Sequence, residues 1–317
     1  MLMTGVRQTT DINYKYWSPA EIMPHGEMKK LQLRRLQEQI NYLWEKSSFY
    51  REKWEKSGFS PDKLKSLDDI RHIPFLVKEE IRISQEQDPP YGMMKIPGRG
   101  PFIRIGMTSG TTGEPVLIPF TEEDYFGVYC EGAVRSVWAA GIRKGDIVHV
   151  AFGFTPFLGL AASYDSCEHL VGALVIPGGT WSSLMRLRMI KKLRVNVLMG
   201  TPTYILHLAK VAEENGIDPR SLGVKAICTG GEPGAMSIPN TGLRLEKAWG
   251  SKIFDFCGTQ ETNYMAWMCD EGVGHINEDL LYCEVLDPET NEPVAPGESG
   301  KLVITDLVGK THPCIRI

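Results

Sequence analysis

At 317 residues with 42% hydrophobic content, the chain can bury a large core and hold one big domain or two ordinary ones. Its formal net charge of -4 argues against a nucleic-acid or membrane surface as the main partner, and no run of about 18 apolar residues is present to span a bilayer. Seven cysteines, odd in number and scattered, fit a reducing compartment without structural disulfides, and the stretch MLMTGVRQTTDINYKYW lacks the apolar core of a signal peptide, so the expected location is the cytoplasm.

Residues 1 to about 26 read as an extended arm punctuated by Trp17, Pro19 and Pro24. From Glu27 to Trp44 the residues Met28, Leu31, Leu36, Ile40, Leu43 and Trp44 recur at spacings near three and four, which predicts an amphipathic helix. The segment from Ser47 to Arg82 then alternates short helices with Gly58, Pro61 and Pro74 as breaks.

The stretch Arg104 to Thr121 concentrates hydroxyls and glycines in Thr108-Ser109-Gly110-Thr111-Thr112-Gly113, and the apolar run Val116-Leu117-Ile118 follows Pro115. This predicts a hydroxyl-rich loop leading into a strand. Glycines let the backbone approach a ligand, and hydroxyls and amides donate to phosphate oxygens. A P-loop would need Lys after the last Gly and a helix beyond it; Glu114 and a strand stand there instead. An ordinary polar turn between two strands remains the plain alternative.

Thr121 and Asp124 form a helix start, with the helix running to about Ala140 and closed by Gly141. Beyond Asp146, strand-like DIVHVAFGF, ALVIPGG, VNVLMGTP, VKAICTGGEP and KIFDFCG alternate with helical Ser182 to Leu193, Thr203 to Asn215 and Asn240 to Trp249. Such alternation predicts an α/β fold with largely parallel sheets flanked by helices. The tail LLYCEVLDPETNEPVAPGESGKLVITDL reads as strand, turn, strand, a smaller β-rich piece.

The run from Thr108 to Pro115 resembles the phosphate-binding loop of the adenylate-forming enzymes, a Ser/Thr-Ser-Gly-Thr-Thr-Gly-Lys-Pro signature from which Glu114 departs. Ser47 to Arg51 and Ile73 to Lys78 resemble the N-terminal markers of the phenylacetate-coenzyme A ligase branch and are taken as scaffold. HPCIRI resembles the strand that in this family leads into the ribose-binding Arg-Thr-Gly-Asp; since the sequence ends at Ile317, the expectation is the large N-terminal portion of such an enzyme, without its C-terminal lid domain. The expected organisation is an N-terminal helical region (1–95), an α/β nucleotide- and acid-binding core (96–278) and a β-rich subdomain (279–317).

Ligands of open α/β sheets sit at the carboxyl ends of strands, and three strand ends here carry unusual chemistry. Phe152, Phe154, Phe157 and Gly159 fall where the family places its acid pocket, although an aromatic cluster is also ordinary core. Gly230-Gly231-Glu232-Pro233 resembles the segment lining the adenine site, where glycines let a flat base lie against the backbone. Asp255, Cys257, Gly258, Thr259, Gln260 and Glu261 resemble the Tyr-Gly-x-Thr-Glu motif, with Cys257 in place of Tyr and Gln260 in place of Thr or Ser. The resemblance makes Glu261 the magnesium ligand, which suits a hard oxygen donor beside a triphosphate, and Glu261 and Thr111 the catalytic groups. Cys269 and His275 are the anchors of a candidate zinc site lacking the usual paired spacing.

What the resemblance implies is ATP-dependent activation of an aryl or arylacetic acid to an acyl-adenylate, then transfer to coenzyme A, with ATP/AMP, Mg2+ and coenzyme A as cofactors. Partners would be the small-molecule acid and coenzyme A, with no nucleic acid or membrane and a homodimer left open. The alternatives are a non-catalytic nucleotide-binding paralogue, or an adenylylating enzyme whose acceptor is a deazaflavin, an amine or a carrier protein.

Overall fold

The computed structural model describes residues 15–110, 113–153 and 157–317. The chain divides into two compact units. One takes Ile22–Val128, Gln260–Thr262 and Asn277–Ile317; the other takes the residues up to Glu21, Tyr129–Thr259 and Asn263–Ile276.

The first unit opens with α1 (His25–Lys46), which buries Met28, Gln32, Leu36, Gln39, Ile40 and Leu43, a stripe at helical spacing. Ser47 ends that helix and caps the next, its side chain accepting from the Tyr50 amide, so that α2 (Ser48–Lys56) buries Tyr50 and Trp54. Helix α3 (Lys78–Gln87) begins where the Glu80 carboxylate accepts from the Val77 amide at 2.9 Å. Strands β1 (Phe102–Met107) and β2 (Leu117–Thr121) form an antiparallel hairpin with Met107 opposite Leu117. Thr121 then caps α4 (Glu122–Asp124). A π-helical stretch, Tyr125–Tyr129, follows, and the chain passes there into the second unit, where α5 (Cys130–Ala139) ends near the position that the sequence predicts.

The second unit is built on one sheet. In chain order come β3 (Ile147–Val150), α6 (Leu158–Asp165), β4 (Leu174–Pro177), α7 (Ser183–Leu193), β5 (Val197–Gly200), α8 (Pro202–Glu214), β6 (Ala226–Thr229), α9 (Pro239–Trp249), β7 (Lys252–Thr259), β8 (Asn263–Met268) and β9 (Gly274–Ile276). The sheet order is β4-β3-β5-β6-β7-β8-β9; the first five strands are parallel and the last two add antiparallel. The chain leaves β3 for β4 on one side and returns to β5 on the other, so the carboxyl ends of β3 and β5 form a topological switch point. Leu187, Ile190, Leu198, Ile205, Leu208, Ile227, Leu245 and Trp249 make the core beneath α7 to α9. All five strand-like runs and all three helical runs expected after Asp146 are present. Helix α6 and the π-helical Ser166–Val171 between β3 and β4 are additions to that expectation.

The tail returns to the first unit as the hairpin β10 (Leu281–Leu286) and β11 (Lys301–Asp306), paired from Leu281 opposite Asp306 to Leu286 opposite Lys301. Arg316 then forms a 2.9 Å ion pair with Glu284, both side chains under a tenth exposed, and donates to the Ile73 carbonyl at 2.7 Å. The Tyr50 hydroxyl donates to the Pro313 carbonyl at 2.8 Å. These buried polar ties fasten the C-terminal residues to the N-terminal helices within this unit. Among the described residues no helix is long and apolar enough to cross a membrane.

Candidate functional site

In the first unit the hydroxyl-rich loop is the connection of the β1–β2 hairpin. Thr108 closes it: its amide donates to the Val116 carbonyl at 3.0 Å, and its buried hydroxyl accepts from the Val116 amide at 2.9 Å. Gly110 sits at φ +68, where a Cβ would meet Pro115 Cγ at 2.9 Å and the Gly113 carbonyl oxygen at 3.0 Å, so the turn admits only glycine. Ser109 is exposed, while Thr111 and Thr112 lie outside the described residues. Helix α3 braces the loop from one side. Gln85 exchanges two hydrogen bonds with the Leu117 backbone, at 2.6 and 3.0 Å. The Arg82 Nε donates to the Glu114 carbonyl at 3.0 Å, and the guanidinium lies so close to Gly113 that a Cβ there would be 3.1 Å from its Cζ. The Glu114 side chain itself is exposed, so the cation against this loop comes from Arg82.

The same helix reaches the expected metal ligand. Lys78 Nζ stands 2.8 Å from the Glu261 carboxylate, with 36% and 10% of the two side chains exposed. Lys78 and Arg82 are four residues apart on α3 and share a face, so one helical turn carries both the Glu261 carboxylate and the phosphate-type loop. By sequence Lys78 reads as scaffold, and nothing marks Arg82 as a site residue. Next to this pair, His312 is buried with neither ring nitrogen hydrogen-bonded to another described residue; burial pushes its pKa down to about 4, against the pull of its own backbone and of Glu261. Burial, with Glu261 adding to it, pushes the Cys314 thiol well above the usual range. The Gln260 Oε1 is likewise buried without a partner among the described residues.

In the second unit Gly230, Gly231, Glu232 and Pro233 follow β6, and Asp255, Cys257, Gly258 and Thr259 lie on β7. A Cβ on Gly230 would overlap the Phe256 ring, and Gly231 sits at φ +80, so both glycines of the turn after β6 are required. Glu232 reaches the first turn of α8, where its carboxylate accepts from the Thr203 hydroxyl at 2.7 Å and the Thr203 amide at 3.3 Å. Pro233 is exposed beside it. Asp255, expected to contact the cofactor, is 4% exposed and faces into this turn, accepting from the Thr229 hydroxyl at 2.8 Å and the Met236 amide at 3.0 Å. A Cβ on Gly234 would strike that carboxylate. Burial raises the Asp255 pKa and these two donors oppose the rise. Its carboxylate braces the Gly230–Pro233 turn from within instead of pointing outward. Cys257, Gly258 and Thr259 are exposed at the end of β7, with a register shift between Cys257 and Gly258.

The aromatic segment follows β3 at the switch point. Phe152 is half-buried, Phe157 is 42% exposed at the start of α6, and Gly159 lies in the first turn of that helix; Phe154 falls outside the described residues. Phe157 is therefore not enclosed as a residue of the ordinary core would be. Cys269 and His275 lie in the β8–β9 hairpin, where His275 stacks on Trp267 with ring centroids 4.8 Å apart. Among the described residues no third ligand joins them; the group close enough to share a metal is Asp165, Glu168 and His169.

The model of the family described as AMP-binding enzyme matches residues 72–306. The phenylacetate-coenzyme A ligase of Pseudomonas putida is 32% identical over 302 residues, covering 94% of this chain and 66% of the relative; that of Thermus thermophilus is 30% identical over 305 residues, with 95% and 66% covered. The chain thus spans about two thirds of the length of these curated relatives. Among solved structures, a 2-hydroxyisobutyryl-CoA ligase in complex with 2-HIB-AMP and CoA superposes with a TM-score of 0.88 at 32% identity, covering 97% of this chain and 67% of that one. Its open conformation gives 0.87 at 31% identity, with 97% and 74% covered. The loop of β1–β2, the turn after β6 and the Glu261 segment all fall inside the matched range, and the chain belongs to the AMP-binding enzyme family.

Proposed function

We propose that this chain carries the nucleotide- and acid-binding part of an ATP-dependent carboxylate activator that forms an acyl-adenylate and passes the acyl group to coenzyme A. The observation that carries the reading is α3, which holds Glu261 through Lys78 and the phosphate-type loop through Arg82 on one face. In the first half-reaction a carboxylate oxygen attacks the α-phosphorus of ATP and pyrophosphate leaves; in the second a thiolate attacks the acyl carbon and AMP leaves. The carboxylate is ionised at neutral pH and needs no general base, so the protein's contribution is placement and charge stabilisation.

Loop amides and Arg82 would hold the phosphates, the Gly230–Pro233 turn the adenine, and Phe152 and Phe157 the acid. Glu261 offers a hard oxygen donor of the kind magnesium takes, and the ion when bound would neutralise phosphate charge. An aryl or arylacetic acid fits the aromatic residues after β3, and the phenylacetate-coenzyme A ligases among the relatives support that class. A cytoplasmic setting agrees with this chemistry.

The test is ATP–pyrophosphate exchange. Phenylacetate or benzoate should stimulate it more than palmitate does. AMP binding without exchange by any acid would instead identify a nucleotide-binding module.

A further inference from the structure

On the face of the sheet covered by α7 and α8, Arg186 is 4% exposed, and its partners among the described residues are all neutral. Its Nη2 donates to the Gly179 carbonyl at 2.7 Å, its Nη1 stands 3.4 Å from His149 Nε2, and the Tyr204 ring lies 5.6 Å from its Cζ. Among the described residues the buried Nε has no acceptor. His149 cannot supply a counter-charge. Its Nδ1 lies 3.1 Å from the Ile176 carbonyl oxygen, so Nδ1 carries the proton and Nε2 presents a lone pair to the guanidinium. Burial and the Arg186 charge hold the imidazole pKa down near 4, neutral at physiological pH.

A buried guanidinium with neutral neighbours and an unfilled donor is costly, and such groups persist where a ligand completes them. The position is equally telling. His149 is on β3, Gly178 and Gly179 follow β4, and Tyr204 is in the first turn of α8 after β5, so the cation lies among the strand ends that bracket the switch point. Gly178 donates to the Val150 carbonyl at 3.0 Å, and a Cβ there would overlap Arg186 Nη1 and lie 2.7 Å from His149 Cε1. Backbone and guanidinium are fitted to each other. Ser183 and Tyr204, whose hydroxyls are 3.1 Å apart, add polar groups at the rim.

We propose that Arg186, framed by His149, Gly179 and Tyr204, is an oxyanion-binding site for a carboxylate or phosphate group of a small-molecule ligand. It uses none of the residues assigned above to nucleotide, metal or acid.

The experiment titrates the 317-residue protein with sodium succinate or sodium orthophosphate at constant ionic strength, reading the melting temperature and the Arg186 Nε–H resonance, assigned by its loss in Arg186→Lys. A saturable rise in melting temperature is expected, with the resonance moving at the same midpoint. Arg186→Gln should weaken the midpoint at least tenfold. Gly178→Ala, which keeps the charge but displaces the guanidinium, should do the same. A lower midpoint for succinate assigns a carboxylate ligand, and a lower one for phosphate assigns a phosphate-bearing ligand. A resonance unmoved by both anions, or an unchanged midpoint in Arg186→Gln, overturns the proposal. Assigned also by through-bond correlation to the Arg186 backbone in the unaltered protein, the resonance keeps the test decisive if a variant fails to fold. Neither ATP nor turnover enters the measurement, so its failure leaves the proposed activity standing.

Discussion

Replacing Glu261 by Gln separates its two roles. In the ligand-free protein the carboxylate pairs with Lys78 at 2.8 Å, but the lysine side chain is 36% exposed, so solvent screens the pair and its contribution to stability is at most about 1 kcal/mol. At roughly 2–4 °C per kcal/mol for a chain of this size, Glu261→Gln should lower the melting temperature by no more than a few degrees. In the proposed reaction the same carboxylate would hold a magnesium ion against the phosphates, and losing one such charge-stabilising contact costs about 3–4 kcal/mol, or roughly 100- to 1000-fold in rate. Pyrophosphate exchange and differential scanning fluorimetry on the same preparations would test both halves. Exchange within about threefold of the wild type would remove Glu261 from the adenylation site. A fall beyond about 10 °C would make it a structural brace whose loss of activity means little.

Gly230→Ala should drive a methyl into the Phe256 ring, costing about 1–3 kcal/mol of stability and weakening AMP binding measured by calorimetry; unchanged affinity would detach the turn from the nucleotide. Arg82→Gln should raise the Michaelis constant for ATP in the exchange assay while leaving that for the acid unchanged, because the guanidinium is the cation lying against Gly113. Glu284→Gln should destabilise the protein by about 3–5 kcal/mol in a denaturant titration, since it strands the buried Arg316 charge. His312 and His149 have pKa values depressed from 6.5 to about 4, so both are neutral when folded and take up protons on unfolding. Their contribution to stability is complete above pH 6.5 and is lost as pH falls toward 4. Asp306, raised to about 6 by burial, works the other way, its contribution complete below 3.8 and lost as pH rises through 6. His312→Phe removes two unpartnered nitrogens, and should flatten the acid limb of a plot of melting temperature against pH without lowering its plateau. An unaltered acid limb would refute the assignment.

The parallel sheet was legible because β3 to β7 are short apolar runs ended by glycine or polar residues, and α7 to α9 show one apolar face each. Helix α6 was not. LGLAASYD is apolar almost all round, so no polar face marks its period, and its glycine and preceding aromatics read as a loop. Within the candidate site, Gly110, Gly230 and Gly231 were legible since their conformations or close contacts forbid other residues. Lys78 and Arg82 were illegible for the opposite reason. Lys78 meets a residue 183 positions away, and nothing in the sequence near either one announces the pairing. Asp255 was placed at the correct strand end, but which way its carboxylate points depends on Met236 and Thr229, a matter of packing that spacing alone does not encode.

The two anchor points on α3 also set a tolerance. Lys78 and Arg82 are separated by about 6 Å of helix rise, and both lie on one face only because the intervening length is four residues. Exchanging the residues between them for other helix formers preserves this gauge, whereas inserting or deleting one residue turns Arg82 about 100° away from Lys78. Variation in this helix should therefore be permissive in composition and intolerant in length, and a single-residue insertion after Glu80 should uncouple the loop from Glu261 while both remain folded.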